Sequence, residues 1–125
     1  MREILFRGKS LDNGKWESGY LLENQGRTFI YQATNDNGRI SVAAVEVDPA
    51  TVGQYTGLKD KNGKKIYEAD ILTVTFRNMG VVEWRDGGFV VNFGDMGIFE
   101  LTHCFGYTYQ MCITGNIHDN ADLIK

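Results

Sequence analysis

The stretch that decides the fold is residues 28–44, TFIYQATNDNGRISVAA. Its apolar residues stand at every second position on both sides of the polar segment 35–38, and they are Phe29, Tyr31, Ala33, Ile40, Val42 and Ala44. Because side chains of a strand point alternately to its two faces, a spacing of two predicts β-strands. An Asn-Gly pair between two such segments is a strong hairpin signal. The stretch therefore predicts an antiparallel β-hairpin.

The same alternation recurs along most of the chain. The residues that it places on shared faces are Ile4 and Phe6; Trp16, Ser18, Tyr20 and Leu22; Leu72, Val74 and Phe76; Val82 and Trp84; Phe89, Val91 and Phe93; and Phe105, Tyr107, Tyr109, Met111 and Ile113. Polar, glycine-containing turns separate these segments at 12–14, 24–26 and 86–88. We expect the strands to bury their apolar side chains in pleated layers.

The spacings together predict an all-β fold of short antiparallel strands with minimal helix. We expect a β-roll or two small sheets, with an SH3-like barrel in the C-terminal half, because closure removes exposed strand edges. The chain is predicted to be one domain, 1–125, with an N-terminal sheet at about 1–47 and a barrel-like half at about 52–118. A capped helical turn is expected at 48–51 and another near the end of the chain, at 120–124.

Length and composition limit the classes of protein that fit. With 125 residues, 42% of them hydrophobic, the chain matches one compact domain that removes roughly two thirds of its unfolded surface from water. The net charge of −3 gives no overall positive field for nucleic acid. We find no secretion signal and no run long enough to cross a membrane. These features predict a soluble protein of the cytoplasm, with no membrane partner.

Three motifs lie near the start, in the middle and near the end of the chain. Residues 53–71 read GQYTGLKDKNGKKIYEADI, residues 2–9 read REILFRGK, and residues 115–120 read GNIHDN. In this order they resemble the YopX family of phage and prophage proteins along nearly the whole length. The resemblance implies a phage or prophage accessory protein of β structure that tends to self-associate in the host cell cytoplasm. It implies no established biochemical activity.

Two positions depart from the family pattern. Ala69 stands where the family usually has glycine, and His118 stands where an aromatic residue is common. Alanine at position 69 predicts that a positive φ is not required there. Segment 53–65, rich in glycine and polar residues, is expected to form a hairpin loop.

Several motifs resemble ligand-binding sites but lack residues or spacings that such sites require. Segment 8–10 ends like a phosphate-binding loop, but Glu3 occupies the position of its first glycine. Segment 60–63 begins like a calcium loop, but Ile71 stands where the bidentate glutamate belongs, which favours a plain hairpin turn. His103, Cys104, Cys112 and His118 are zinc-ligand types, but they lack the zinc-finger spacing. On one strand the two sulfurs would lie roughly 26 Å apart, and a hairpin at Gly106 is the alternative that would bring them together. We expect no metal and no cofactor.

Two further pairs of polar residues have a structural rather than a catalytic interpretation. His103 and Cys104 are neighbours that a strand would point to opposite faces, which disfavours a nucleophile and base pair. Glu68 and Asp70 would share one side of a strand, and we expect a solvated acidic pair near Lys64 or Lys65.

The family signature also contains the residues that we single out as a possible interaction site. They are Tyr55, Lys59, Lys61, Lys64, Lys65, Tyr67, Glu68 and Asp70. The lysines could contact a nucleic-acid backbone while the two tyrosines stack on bases. The alternative is a soluble charged hairpin or a protein-contact loop.

The sequence favours a non-enzymatic protein that assembles with itself and binds a host or phage protein. Its aromatic content of 12% exceeds what we can place in a core of this size, and surplus aromatic residues are enriched at interfaces. The alternative is a small barrel that binds nucleic acid through loop 59–65. An enzyme ranks third, because no polar constellation suggests a catalytic cleft.

Overall fold

A computed structural model describes residues 3–74, 78–101 and 111–124. The strands are β1 Phe6–Lys9, β2 Trp16–Asn24, β3 Arg27–Asp36, β4 Arg39–Glu46, β5 Gly53–Lys59, β6 Lys65–Tyr67, β7 Asp70–Thr73, β8 Met79–Arg85, β9 Gly88–Asn92, β10 Ile98–Glu100 and β11 Cys112–Asn116. Short 3-10 turns cover Pro49–Thr51, Gly94–Met96 and Ala121–Ile124. No α-helix occurs in these described ranges, so the prediction of an all-β fold is confirmed.

The strands pair in two antiparallel sheets. One has the order β4-β3-β2-β1-β5-β6 and the other the order β10-β9-β8-β7-β11. The pairings found within the described residues do not close the second sheet, so the SH3-like barrel stays a prediction. The chain divides into two compact units, Met1–Gln54 and Tyr55–Lys125.

The first unit is built on the hairpins β2–β3 and β3–β4. Ile30 and Val47 are fully buried, and Thr28 lies beside them on the core face of the sheet. The Oδ1 atom of Asp48 accepts a hydrogen bond of 3.0 Å from the amide of Ala50, which caps the 3-10 turn. The predicted capped turn at 48–51 is therefore confirmed.

The second unit has one buried apolar cluster. Its members come from β6 to β9 and from the segments beside β10 and β11, and they are Ile66, Leu72, Val82, Val91, Leu101 and Met111. Ile113 packs against this cluster together with Phe89 and Phe93. The alternation of β8 and β9 predicted Val82 and Val91 as apolar positions, and both are buried in the core.

The prediction of a loop over segment 53–65 is wrong for its first half. Gly53–Lys59 forms strand β5, and the turn that follows is confined to residues 60–64. Gly57 has a φ of +91°, and the register between β5 and β6 shifts between Tyr55 and Lys59. The glycine thus produces a bulge within the strand instead of ending it. The expected strand residues Phe76, Phe105, Tyr107 and Tyr109 lie outside the described residues.

Candidate interaction surfaces

The turn between β5 and β6 is organised by one buried carboxylate. The Oδ1 atom of Asp60 accepts hydrogen bonds of 2.9 Å from the amides of Asn62 and Lys64. Its Oδ2 atom accepts a bond of 3.0 Å from the amide of Ile113 on β11. The predicted hairpin turn at 60–63 is confirmed, and the carboxylate serves the backbone of the turn.

The environment of Asp60 acts on its pKa in two directions. Burial favours the neutral acid and raises the pKa. The amides of Ile113, Lys64 and Asn62 and the charge of Lys64 favour the carboxylate, and together they hold the pKa of Asp60 below its usual value. The side chain is therefore a charged structural group.

Tyr55 and Tyr67 are not available for stacking on bases. They face each other across β5 and β6 with ring centroids 5.6 Å apart, and their exposed fractions are 6% and 8%. The expectation that these two rings contact nucleic acid is wrong, because the signature places them in the core of the second unit.

The lysines of the signature lie on the surface of the same hairpin. Lys59, Lys61 and Lys64 are exposed, whereas Lys65 is half-buried with its Nζ atom 5.4 Å from the centroid of the Tyr55 ring. Lys59 stands directly opposite Lys65 in the strand register. Like charges at directly opposed positions of two strands repel each other.

Glu68 and Asp70 do not form the expected solvated pair. Glu68 and Ala69 make a turn between β6 and β7, and Asp70 is buried with its Oδ2 atom 2.8 Å from the amide of Tyr67. Ala69 has a φ of +78°. The prediction that position 69 needs no positive φ is therefore wrong: the turn requires one, and alanine adopts it.

Two residues of the motifs that resemble binding sites have structural roles. Gly8 lies within β1, where an added Cβ atom would meet Val47 at 2.9 Å. Cys112 is half-buried, and its sulfur accepts a hydrogen bond of 3.6 Å from the side-chain Nδ2 atom of Asn62. His103 and Cys104 lie outside the described residues. Within the described part of the chain, no cluster of three or more histidine, cysteine or acidic side chains could hold a metal ion.

A second surface is the outer face of β2, β3 and β4. Tyr20 stands opposite Tyr31 and Leu22 opposite Phe29, while Val42 stands opposite Ala33 on the next pair of strands. Since opposed residues share a face, these side chains lie on the side of the sheet away from Ile30. Ile40 and Val42 have exposed fractions of 71% and 65%, so the predicted alternation is confirmed but this apolar face is open.

The far end of β3 and β4 is a two-stranded arm. β2 pairs with β3 as far as Tyr31, and Gln32 still bonds Glu17 of β2 through its Nε2 atom at 2.8 Å. Beyond it, residues 33–36 pair with 39–42 of β4, and every residue from 33 to 44 is exposed. We call residues 33–44 the arm. The paired residues of its outer face are Ala33, Asn35, Ile40, Val42 and Ala44, and those of its reverse face are Thr34, Asp36, Arg39, Ser41 and Ala43.

The apolar face has a neutral border at its base. Arg27 and Glu46 form a bidentate ion pair, with distances of 2.8 and 3.1 Å between guanidinium nitrogens and carboxylate oxygens. The hydrogen bond from Arg27 lowers the pKa of Glu46, which keeps the carboxylate charged. Arg27 also lies over the ring of Phe29, at 5.1 Å from its centroid. The sequence indicated that these strand residues share a face but gave no sign that the face is uncovered.

Comparisons with known proteins agree with the resemblance. The family model described as YopX protein matches residues 5–125. Protein EF1440 from Enterococcus faecalis has a crystal structure similar to this chain, with a TM-score of 0.69, 25% sequence identity and complete coverage of both chains. None of the curated proteins matches. In the described ranges, no helix has the length and apolar character needed to cross a membrane.

Proposed function

Because the chain belongs to the YopX family, we propose that it is a non-enzymatic phage or prophage accessory protein of the host cytoplasm that acts by self-assembly. The observation that carries the proposal is the arm, whose apolar outer face is open to solvent. An isolated two-stranded hairpin is at best marginally stable in water. A partner packed on the outer face would supply the missing layer.

A second copy of this chain suits the outer face. Sheets pack face to face through interdigitating side chains, and a two-fold arrangement brings identical patches together. The ion pair at the base of the face, Arg27–Glu46, is internally neutral. Two copies therefore meet there without like-charge repulsion, although the whole chain has a net charge of −3.

The energy of such a contact supports a reversible dimer. Covering the exposed part of Tyr20, Leu22, Ile40 and Val42 is worth roughly 1–2 kcal/mol per side chain, or roughly 8–16 kcal/mol over both copies. Association costs an estimated 4–15 kcal/mol in lost freedom. Because the two terms are similar, we expect a dimer whose population depends on concentration.

The experiment compares two neighbouring substitutions on the arm. Val42→Lys places a charge on the apolar outer face, whereas Ser41→Lys places the same charge on the reverse face one residue away. Light scattering and sedimentation over a range of concentrations measure the mass of each variant against the protomer mass of 14.1 kDa. We expect Val42→Lys to be monomeric and Ser41→Lys to associate like the unsubstituted protein.

Two results would contradict the proposal. One is an unsubstituted protein that stays at 14.1 kDa up to hundreds of micromolar. The other is equal association of the Val42→Lys and Ser41→Lys variants, which would place the contact elsewhere. Thermal unfolding of both variants checks that each retains its fold.

A second candidate function is nucleic-acid binding by the lysines of loop 59–65. It is favoured by the opposition of Lys59 and Lys65, and it loses support from the buried tyrosines. It predicts salt-dependent binding of an oligonucleotide that weakens when Lys61, Lys64 and Lys65 are changed to glutamine. Absence of binding at low salt would exclude this candidate.

A further inference from the structure

The second unit has an open groove on the face of β8 and β9 that points away from its buried cluster. Val81 stands opposite Asn92, and Asn92 stands opposite Ile98 on β10. These positions alternate with Val82 and Val91, which belong to the cluster. The groove has a volume of about 390 Å³ and separates the floor of the sheet from the C-terminal 3-10 turn.

The groove is lined by apolar and by polar side chains, the polar ones being Asn78, Glu83 and Asn92. Its apolar lining includes Met79 and Val81 of β8, Met96, and Leu123 and Ile124 of the C-terminal 3-10 turn. Met96 has an exposed fraction of 59%. Methionine side chains adapt their shape to a partner, so two of them suit a surface that accommodates several apolar side chains.

The charges around the groove are mainly acidic. Glu83 lines it, held by Arg85 at 2.9 Å and by Asn92 at 3.3 Å. Asp95 lies between the lining residues Gly94 and Met96, and Asp122 directly precedes Leu123.

An adjoining groove of about 500 Å³ continues the same face. Its lining includes Val90 of β9, Ile98 of β10 and the acidic residues Glu100 and Asp86. Glu83 and Glu100 flank Val90 on either side in the strand register. Among the described lining residues of the two grooves, Glu83, Asp86 and Glu100 are acidic and Arg85 is basic. Arg77 and Lys125, which adjoin the lining residues Asn78 and Ile124 in the sequence, lie outside the described residues.

We propose that this face binds an extended segment of another protein in which apolar side chains alternate with lysine or arginine. Apolar side chains would enter the methionine-lined groove, and the basic side chains would meet the acidic border. An extended segment directs every second side chain toward the sheet, so its apolar residues can face the groove. The long lysine and arginine side chains between them can bend back to the acidic border. This site is separate from the arm, and the proposal does not depend on self-assembly.

The test uses a fluorescein-labelled heptapeptide of alternating lysine and leucine as the probe, measured by fluorescence anisotropy. One control peptide replaces the leucines by serine, and a second replaces the lysines by glutamate. We expect the first peptide to bind, its affinity to fall as salt is added, and both control peptides to bind at least about tenfold more weakly.

Paired protein variants locate the binding. Met96→Ser and Asp95→Lys alter the groove, while Leu11→Ser and Asp12→Lys alter an equally exposed pair of residues in the first unit. We expect Met96→Ser to weaken binding about fivefold to tenfold and Asp95→Lys about threefold or more at low salt. The variants at Leu11 and Asp12 should bind like the unsubstituted protein.

Three outcomes would overturn the proposal. They are equal affinity for the serine control peptide, which indicates attraction by charge alone; equal weakening by the variants of the first unit; and no binding at hundreds of micromolar. The substitutions replace exposed side chains, and a thermal unfolding curve for each variant shows whether it is folded. Ile124→Ser, which changes another lining residue, provides a second variant with the same expected effect as Met96→Ser.

Discussion

The carboxylate of Asp60 accepts a hydrogen bond of 3.0 Å from the amide of Ile113, 53 residues further along the chain. The same carboxylate holds the turn between β5 and β6 by its contacts with the amides of Asn62 and Lys64. A side chain in the family signature therefore connects a local turn to β11, a strand near the end of the chain.

Replacing Asp60 by alanine should destabilise the protein by roughly 2–3 kcal/mol. The amides that it satisfies lose a charged partner, and the amide of Ile113 is the least able to find water. Urea unfolding at pH 7 measures the change, with the exposed Asp12→Ala as the control. A loss below about 0.5 kcal/mol would show that the turn does not depend on this carboxylate.

The stability of the protein should fall in acid partly through Asp60. Its pKa is lowered in the folded protein, so the folded state binds the proton more weakly than the unfolded state does. The contribution is complete above the unfolded pKa of about 3.9 and is lost as the pH falls through the folded pKa. In urea unfolding from pH 6 downward, Asp60→Asn should lose less stability than the unsubstituted protein. If both proteins lost the same stability in acid, other titratable groups would be the cause of the acid sensitivity.

Position 69 should accept glycine and reject valine. Ala69 has a φ of +78° and is buried, so glycine removes strain of about 1–2 kcal/mol while it loses one methyl group worth about 0.8 kcal/mol. Ala69→Gly should therefore unfold within about 1 kcal/mol of the unsubstituted protein. Ala69→Val should cost at least about 2 kcal/mol, because a β-branched residue is strongly disfavoured at positive φ. Similar stability of the two variants in urea would contradict the backbone geometry.

Gly80 and Gly88 should respond differently to the same added methyl group. A Cβ atom at Gly80 would lie 2.5 Å from Val91 and 2.9 Å from Phe93, whereas one at Gly88 would meet nothing within 4 Å. Gly80→Ala should cost roughly 1–3 kcal/mol through overpacking, and Gly88→Ala should be close to neutral. Thermal unfolding measures both. Equal effects would mean that the β8–β9 packing yields more easily than the distances indicate.

Much of the fold was readable from local patterns. The alternation around Asn37-Gly38 predicted the β3–β4 hairpin, and Asp48 before Pro49 predicted the capped turn, since both signals depend on neighbouring residues. The positive φ of Ala69 was missed because alanine seldom adopts it. Strand β5 was missed because its glycines resemble a loop, and its partner β6 is short.

The candidate sites were less predictable because burial depends on the whole sheet. A period of two indicated that Tyr20 and Leu22 share a face, but it gave no indication of which face receives a covering layer. The neighbouring lysines indicate a surface position for Tyr55 and Tyr67, but the two opposed tyrosines on β5 and β6 are buried. The groove of the second unit depends on the C-terminal turn lying beside β8, a relationship between residues far apart in sequence.

The length of the arm can vary without a change in the rest of the sheet. In the described structure, residues 33–36 pair only with residues 39–42. Extra residue pairs can therefore be added at the tip without disturbing the sheet at its base. The pleat imposes one arithmetic condition: each strand must gain or lose an even number of residues. A change by an odd number of residues would turn Ile40 and Val42 to the reverse face. The length of the hairpin can therefore change in steps of about 7 Å while its outer face stays apolar.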